Sequence, residues 1–241
     1  MNSQLSLRFS HALRYSSDSF VVHQGVQQIV DTVTLLARES RFSTVYVSGA
    51  EFSGKTHLGV YITAALRALS TRARFLGAQE VSPWFTEELS RNPLAGGECI
   101  VIDDADLFIE RHGEGGIISD LTDRIRQANG MLVMLGGKPV PDLIASGQVK
   151  SRLEAGILLF ISQPTERDLD RLLVSIARQR GVRLTQSKRS FILRRVARTL
   201  PGLVAYVNRL GDIGRDASLS TSFGVLSEAA TGSGSRSQQA A

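Results

Sequence analysis

Eight consecutive residues, Gly49-Ala50-Glu51-Phe52-Ser53-Gly54-Lys55-Thr56, fit the spacing G-x-x-x-x-G-K-[ST] at every fixed position. Glycines at these points let the backbone curl, so that successive N–H groups and the start of a following helix face a polyphosphate. In such a loop Lys55 neutralises the outer phosphates and the Thr56 hydroxyl holds magnesium. Gly49, Ser53, Gly54, Lys55 and Thr56 are therefore the candidate phosphate-binding residues. A metal held by one hydroxyl needs a carboxylate anchor, and the apolar run 99–102 ends in Asp103 and Asp104. Asp103 is placed for the metal, and Asp104 to polarise a water for attack on a terminal phosphate. Alone, such a run is also what a buried strand ending in an acidic turn looks like; the upstream loop gives it meaning.

The loop works only between a strand and a helix, and the patterning supplies both. Apolar residues recur at helical spacing over 22–37, a short strand covers 44–47, and a helix with one apolar side covers 57–70. Strands follow at 73–76, 99–102, 131–135 and 156–161, with a short helix at 83–89 and a longer one at 117–128. The density of the 99–102 run suggests the centre of the sheet. Five apolar strands separated by helix-length segments predict an α/β fold, a five-stranded parallel sheet between helices. Beyond Pro164 only helices are expected, at 166–180, 186–199 and 203–211, with Thr165 and Asp168 as a cap for the first. The resulting organisation is a polar, extended arm at 1–19, a nucleotide-binding domain at 20–163, a small α-helical lid at 164–230 and a disordered tail at 231–241.

Composition narrows the setting. The chain has 241 residues, 42% of them hydrophobic and 21% charged, as in an ordinary globular protein able to bury a core. The lone Cys99 lies inside an apolar run and reads as a small buried hydrophobe, which suits a reducing compartment. No stretch approaches the length of a membrane span and no secretory leader is visible, so a cytoplasmic protein without membrane contacts is expected. Lys and Arg outnumber Asp and Glu by 28 to 23, a net charge of +5. Much of the excess falls among Arg178, Arg180, Arg183, Lys188, Arg189, Arg194, Arg195 and Arg198. That cluster is either a phosphate-facing surface or a solvated helix face, and no interleaved aromatics favour base stacking.

Three segments together resemble the DnaA/Hda family of initiator-clade AAA+ ATPases. They are the loop at 49–56 followed by His57-Leu58, the stretch Ile102-Asp103-Asp104-Ala105-Asp106, and Lys150-Ser151-Arg152-Leu153-Glu154-Ala155-Gly156. The resemblance implies an αβα sandwich plus helical lid that binds ADP or ATP with Mg2+, with His57 and Val22 (in the segment 20–22) also at the nucleotide. It makes Arg152 an arginine finger acting in trans, on an exposed turn before the last strand, where it could reach a neighbour's site more readily than its own. Gln4-Leu5-Ser6-Leu7-Arg8-Phe9 resembles a short sliding-clamp-binding peptide, with Gln4 as polar anchor and Leu5, Leu7 and Phe9 as apolar contacts. That peptide, and the lack of room after the lid for a DNA-binding domain, point to the Hda branch. The partners so implied are DnaA, the DNA polymerase sliding clamp and a second copy of the chain, without sequence-specific DNA binding.

Departures from the family pattern shape the mechanism. After the fourth strand the family places a polar sensor; here the stretch is Leu135-Gly136-Gly137-Lys138, where only Lys138 could swing in. The lid's sensor arginine is replaced by Pro201, which offers neither charge nor N–H; Arg209 is the alternative lid contact. The resemblance thus implies stable nucleotide binding with weak intrinsic ATPase activity, and a chain that promotes hydrolysis of DnaA-bound ATP as negative control of initiation. Two other readings stay open: a helicase loader or transposition helper using the basic lid on nucleic acid, and an ADP-bound adaptor that stimulates nothing.

Overall fold

The computed structural model describes residues 15–39, 41–113, 116–216, 226, 227 and 229. The clamp-like peptide with Gln4, Leu5, Leu7 and Phe9, and the tail at 231–241, lie outside the described residues.

Helix α1 (Gln24–Glu39) turns Val26, Ile29, Val33 and Leu36 inward at helical spacing. Five parallel strands follow in the chain: β1 (Ser43–Ser48), β2 (Ala73–Gly77), β3 (Cys99–Asp103), β4 (Met131–Gly136) and β5 (Ile157–Phe160). They form one sheet in the order β2-β3-β4-β1-β5. The central strand is therefore β4, and the 99–102 run lies one place off centre. Both runs are wholly buried because each has a strand on either side and helices on both faces. Apolar density reports burial on two faces, and an interior position shares that with the centre.

Alternation along the strands splits the core in two. Val45, Val47, Val101, Val133 and Leu135 meet α1 and α2 (Lys55–Ala68) on one face. Tyr46, Ile100, Ile102, Leu132 and Met134 meet the other helices on the opposite face. Each fully buried aliphatic side chain stabilises the fold by roughly 1.5–3 kcal/mol. The second face is covered by α3 (Ala78–Pro83), α4 (Ala105–Arg111), α5 (Gly116–Gln127) and α6 (Gly147–Glu154). The helix expected at 83–89 starts earlier, at Ala78, and from Trp84 to Glu88 continues as a π turn. Pro83 is compatible with that arrangement because it sits where the i to i−4 ladder changes register. Helices α4 and α6 have too few turns to show a period in the sequence.

Past β5 the chain is helical: α7 (Glu166–Gln179), α8 (Gln186–Arg195) and α9 (Leu200–Asp216). These helices enclose a separate apolar cluster around Leu173, Ile192, Leu203, Tyr206 and Val207. Thr165 and Asp168 cap α7 reciprocally, side chain to backbone in both directions. Helix α9 begins three residues before the expected 203, with Pro201 in its first turn, where a missing N–H costs nothing. Helix α8 stops at Arg195 instead of reaching 199. No helix among the described residues is long and apolar enough to cross a membrane.

The leading residues are not a free arm where the structure describes them. Ser17–Ser19 form a 3-10 turn. Ser16 carbonyl accepts from His57 Nε2 at 2.9 Å, and Ser175 Oγ on α7 donates to Ser19 carbonyl at 2.6 Å. A polar segment without apolar periodicity gives no sequence sign of such docking, which here runs through backbone carbonyls.

Candidate nucleotide-binding site

Strand β1 ends at Ser48 and the chain enters the glycine loop, where Gly49 N–H still donates to Gly136 carbonyl on β4 at 3.0 Å. A Cβ on Gly49 would lie 2.7 Å from Ser53 Oγ, so the loop can fold over itself only with glycine there. Phe52 and Gly54 both adopt positive φ, at 59° and 90°. For Gly54 this is inexpensive, whereas Phe52 holds a strained conformation with its ring exposed at the mouth of the cleft. Helix α2 then begins at Lys55, two residues earlier than its apolar periodicity suggests, and its first amides face the loop.

Lys55 Nζ donates to Gly49 carbonyl at 2.9 Å and Ala50 carbonyl at 3.0 Å, folded over its own loop. The Thr56 hydroxyl bonds Asp103 at the end of β3. Asp103 is 5% exposed, and its second oxygen, Oδ1, is buried with no partner among the described residues. Burial pushes this carboxyl above its usual range, against the pull of Thr56 and Lys55. A buried carboxylate with one free oxygen beside a threonine hydroxyl suits a hard divalent cation completed by phosphate oxygens and water. Among the described residues no cluster of three or more His, Cys, Asp or Glu could hold a metal by itself. The Ser53 hydroxyl is likewise buried without a partner among the described residues. Asp104 caps α4 in a left-handed conformation, φ 49°, but its carboxylate makes no capping bond and faces the cleft.

Above the loop lies a cleft of about 620 Å³ between sheet and lid, within the usual range for a small-molecule site. One wall is the leading segment and α2: Phe20 packs edge-on against the His57 ring at 5.0 Å and against Tyr61 at 4.9 Å, with Tyr15 on the far side of His57 at 5.5 Å. His57 Nε2 also lies 3.1 Å from Ser19 Oγ, and burial holds the imidazole below its usual range, partly opposed by the Ser16 carbonyl. The other wall is the lid, with Leu172 and Ile176 from α7 and Leu200, Pro201, Val204 and Asn208 from α9. Leu200 comes within 3.8 Å of a Cβ built on Gly54.

Gly49 thus shapes the loop, and Ser53, Gly54, Lys55, Thr56, His57 and Asp104 line the cleft, with Asp103 bonded to Thr56 at its base. Val22 is not in that wall: Phe20 and Val21 line the cleft, while Val22 packs into the sheet-side core. Val21 turns toward the lid cluster and its neighbour Val22 toward the sheet side. Arg152 does not occupy an exposed turn. It sits in the last turn of α6, about one-third exposed, and bonds Asp123 on α5 at 3.2 Å, away from the cleft. Lys138 does not swing inward either, because Glu110 holds it at 2.6 Å. Arg209 donates to Ala229 carbonyl, outside the cleft wall, while Pro201 does line it. In the basic lid, Arg189 pairs with Asp170, Arg198 with Glu166, and Arg195 stacks over Phe191. Tyr15, His23, Ile176 and Asn208 are wall residues that sequence reasoning passed over; for Asn208 the spacing 200, 204, 208 on one helix side was the available sign.

Among solved structures, the chain resembles domain III of the Thermotoga maritima replication initiation protein DnaA with a TM-score of 0.70 at 15% identity, covering 90% of this chain and 96% of that one. The fold is that of a DnaA-like AAA+ ATPase domain. The AAA+ likeness extends to a structure of the replication initiator DnaA bound to AMPPCP and single-stranded DNA, with a TM-score of 0.62, 15% identity, and coverage of 85% and 66%. In sequence, the chain is 25% identical over 230 residues to the chromosomal replication initiator protein DnaA of Thermomicrobium roseum, covering 87% of this chain. It spans 48%, about half, of that relative's length. No family model matches the chain.

Proposed function

We propose that this chain is a nucleotide-holding regulator of replication initiation of the Hda kind, which binds ADP or ATP with Mg2+ and acts on ATP-bound DnaA. The observation that carries the reading is the convergence of Lys55, Thr56 and the half-satisfied Asp103 at the floor of a cleft roofed by the lid. Backbone amides at the start of α2 cradle the phosphates, Lys55 leaves its loop carbonyls for them, and Thr56 with Asp103 holds the cation. The cation, when bound, screens phosphate charge. The aromatic wall at Phe20 and His57 shelters the base from water.

Weak turnover in this chain's own cleft fits the same side chains. Lys138 is tied to Glu110, Arg209 points elsewhere, and Pro201 has no charge to bring. Asp104 could still polarise a water, but among the described residues no cationic side chain of the lid lines the cleft. Arg152 is the residue for a partner: it stands outside its own cleft near the end of a short helix, where a neighbouring AAA+ molecule could receive it. Docking of the segment with Gln4, Leu5, Leu7 and Phe9 on the sliding clamp would raise the local concentration of that contact. Self-association through the same finger is the alternative use of Arg152.

The deciding experiment is phosphate release from ATP-loaded DnaA in the presence of this chain and a DNA-loaded clamp. The chain is expected to accelerate release, and Arg152→Ala to abolish the acceleration while clamp binding persists. An unchanged rate with Arg152→Ala removes the finger. The DnaA structure solved with single-stranded DNA supplies a second reading, a nucleic-acid-binding ATPase using Arg194 and Arg195 on the lid. Salt-dependent oligonucleotide binding that weakens when both are replaced would favour it.

A further inference from the structure

The lid helix α9 sends Leu200, Val204 and Asn208 into the cleft from successive turns of one side. The first of these marks the phosphate end, since Leu200 lies over Gly54 in the glycine loop. Eight residues of helix advance roughly 12 Å, about the length of a nucleotide from its outer phosphate to its base. Asn208 therefore stands at the far end of the cleft, beyond the apolar stretch made by Val204 and, from α7, Leu172 and Ile176.

Its chemistry differs from that of Val204, Leu172 and Ile176, though Ser175 and Gln179 from α7 also line the cleft. The Asn208 side-chain oxygen is shielded from solvent and has no hydrogen-bond partner among the described residues. A shielded oxygen left unpaired is costly, and Leu200, Val204 and Ala205 on the same helix wall offer nothing to satisfy it. Whichever way the amide is turned, it presents one acceptor beside one donor. Adenine presents the complement, an amino donor beside a ring-nitrogen acceptor, and this pairing is the one by which asparagine reads adenine edges elsewhere. On the corresponding N7 edge guanine offers a carbonyl in place of the amino group, so an amide placed against that edge meets two acceptors and loses half of the pair.

We propose that Asn208 is the base-reading residue of the cleft, pairing with the amino edge of adenine and rejecting guanine. This rests on the cleft being an adenine-nucleotide site, and deepens that reading by assigning the residue that reads the base. The lid then does more than cover the ligand: its position depends on which base lies beneath it.

The test is calorimetric titration of the full chain with ADP and with GDP, each with Mg2+, alongside Asn208→Ala, Asn208→Asp and Lys55→Ala. Wild type is expected to prefer ADP. Asn208→Ala should weaken ADP on the order of 10-fold while moving GDP by less than about 2-fold. The carboxylate of Asn208→Asp, nearly the same size, still accepts from the adenine amino group but has no donor for the ring nitrogen, so ADP should weaken while GDP, already unpaired at that edge, stays as in wild type, even if alanine loosens the lid. Lys55→Ala should weaken both nucleotides together. Equal loss of ADP and GDP in both Asn208 variants, or no loss in either, overturns the assignment while leaving the nucleotide site standing. Wild type that binds neither nucleotide overturns the site itself and the assignment with it.

Discussion

The Arg152 guanidinium and the Asp123 carboxylate lie 3.2 Å apart, joining the end of α6 to the side of α5. The pair is partly exposed, so its net worth is on the order of 1 kcal/mol or less. Any neighbour that uses Arg152 must first draw it from Asp123. Asp123→Ala is therefore expected to raise partner-stimulated phosphate release by roughly 2- to 5-fold, opposite in direction to Arg152→Ala. Rates measured over a series of chain concentrations check this; a fall with Asp123→Ala would mean that the pair orients the arginine.

Asp103 should show opposite effects on stability and on metal dependence. Its carboxylate is buried with one oxygen unmatched, which disfavours the charged form. Asp103→Asn keeps the shape and removes the charge, and should raise the melting temperature of the ligand-free chain. It should also remove the gain in nucleotide affinity that Mg2+ gives wild type. Thermal melts and titrations with and without Mg2+ read both.

Two glycines make opposite predictions for one added methyl. At Gly59 on α2, a Cβ would meet the Phe75 ring at 2.6 Å and Leu135 at 2.7 Å, so Gly59→Ala should cost about 1–3 kcal/mol. At Gly211 in α9 nothing among the described residues lies within 4 Å, and Gly211→Ala should stabilise by about 0.5–1 kcal/mol. Urea unfolding of both variants tests whether α2 is seated that closely on the sheet.

His23 predicts a pH dependence. It is 4% exposed, its Nδ1 accepts from Gly25 N–H at 3.1 Å, and it faces Asp168. Burial lowers its pKa from 6.5, against the attraction of Asp168. The unfolded chain therefore takes up this proton at a higher pH than the folded one. The stability linked to His23 is complete above 6.5 and declines as pH falls through that value toward the lower folded pKa. Asp168 itself is raised by burial but held lower overall by its bonds from Thr165 and Gln24 and by His23; its own contribution is lost only as pH falls through that lower value, in the acid range. Melts between about pH 8 and 5.5 should show the decline, and His23→Gln should remove its share, leaving that of His57, whose pKa burial also lowers.

The sheet and the phosphate loop were legible in the sequence because both are written locally. Val45, Val101 and Val133 repeat inside short apolar runs, and the loop's glycines and Lys55 act within eight residues of one another. What escaped depends on contacts between distant segments. Val22 and Val21 are chemically alike, and only the direction of an extended chain decides which one reaches the cleft. Arg152 looks the same in a turn or a helix until Asp123, from another helix, takes hold of it. Asn208 belongs to the cleft because α9 crosses it, a matter of helix packing that no window of α9 alone contains. The central place of β4 follows from the order of crossovers, which apolar density does not record.

The docking of residues 15–20 also has a mechanical consequence. Ser16 and Ser19 grip the phosphate-loop helix through His57, and Ser19 grips the lid through Ser175. One short strut thus spans both jaws, immediately downstream of the chain's first fourteen residues. A shift of that strut relative to one jaw would therefore have to break its bonds to the other.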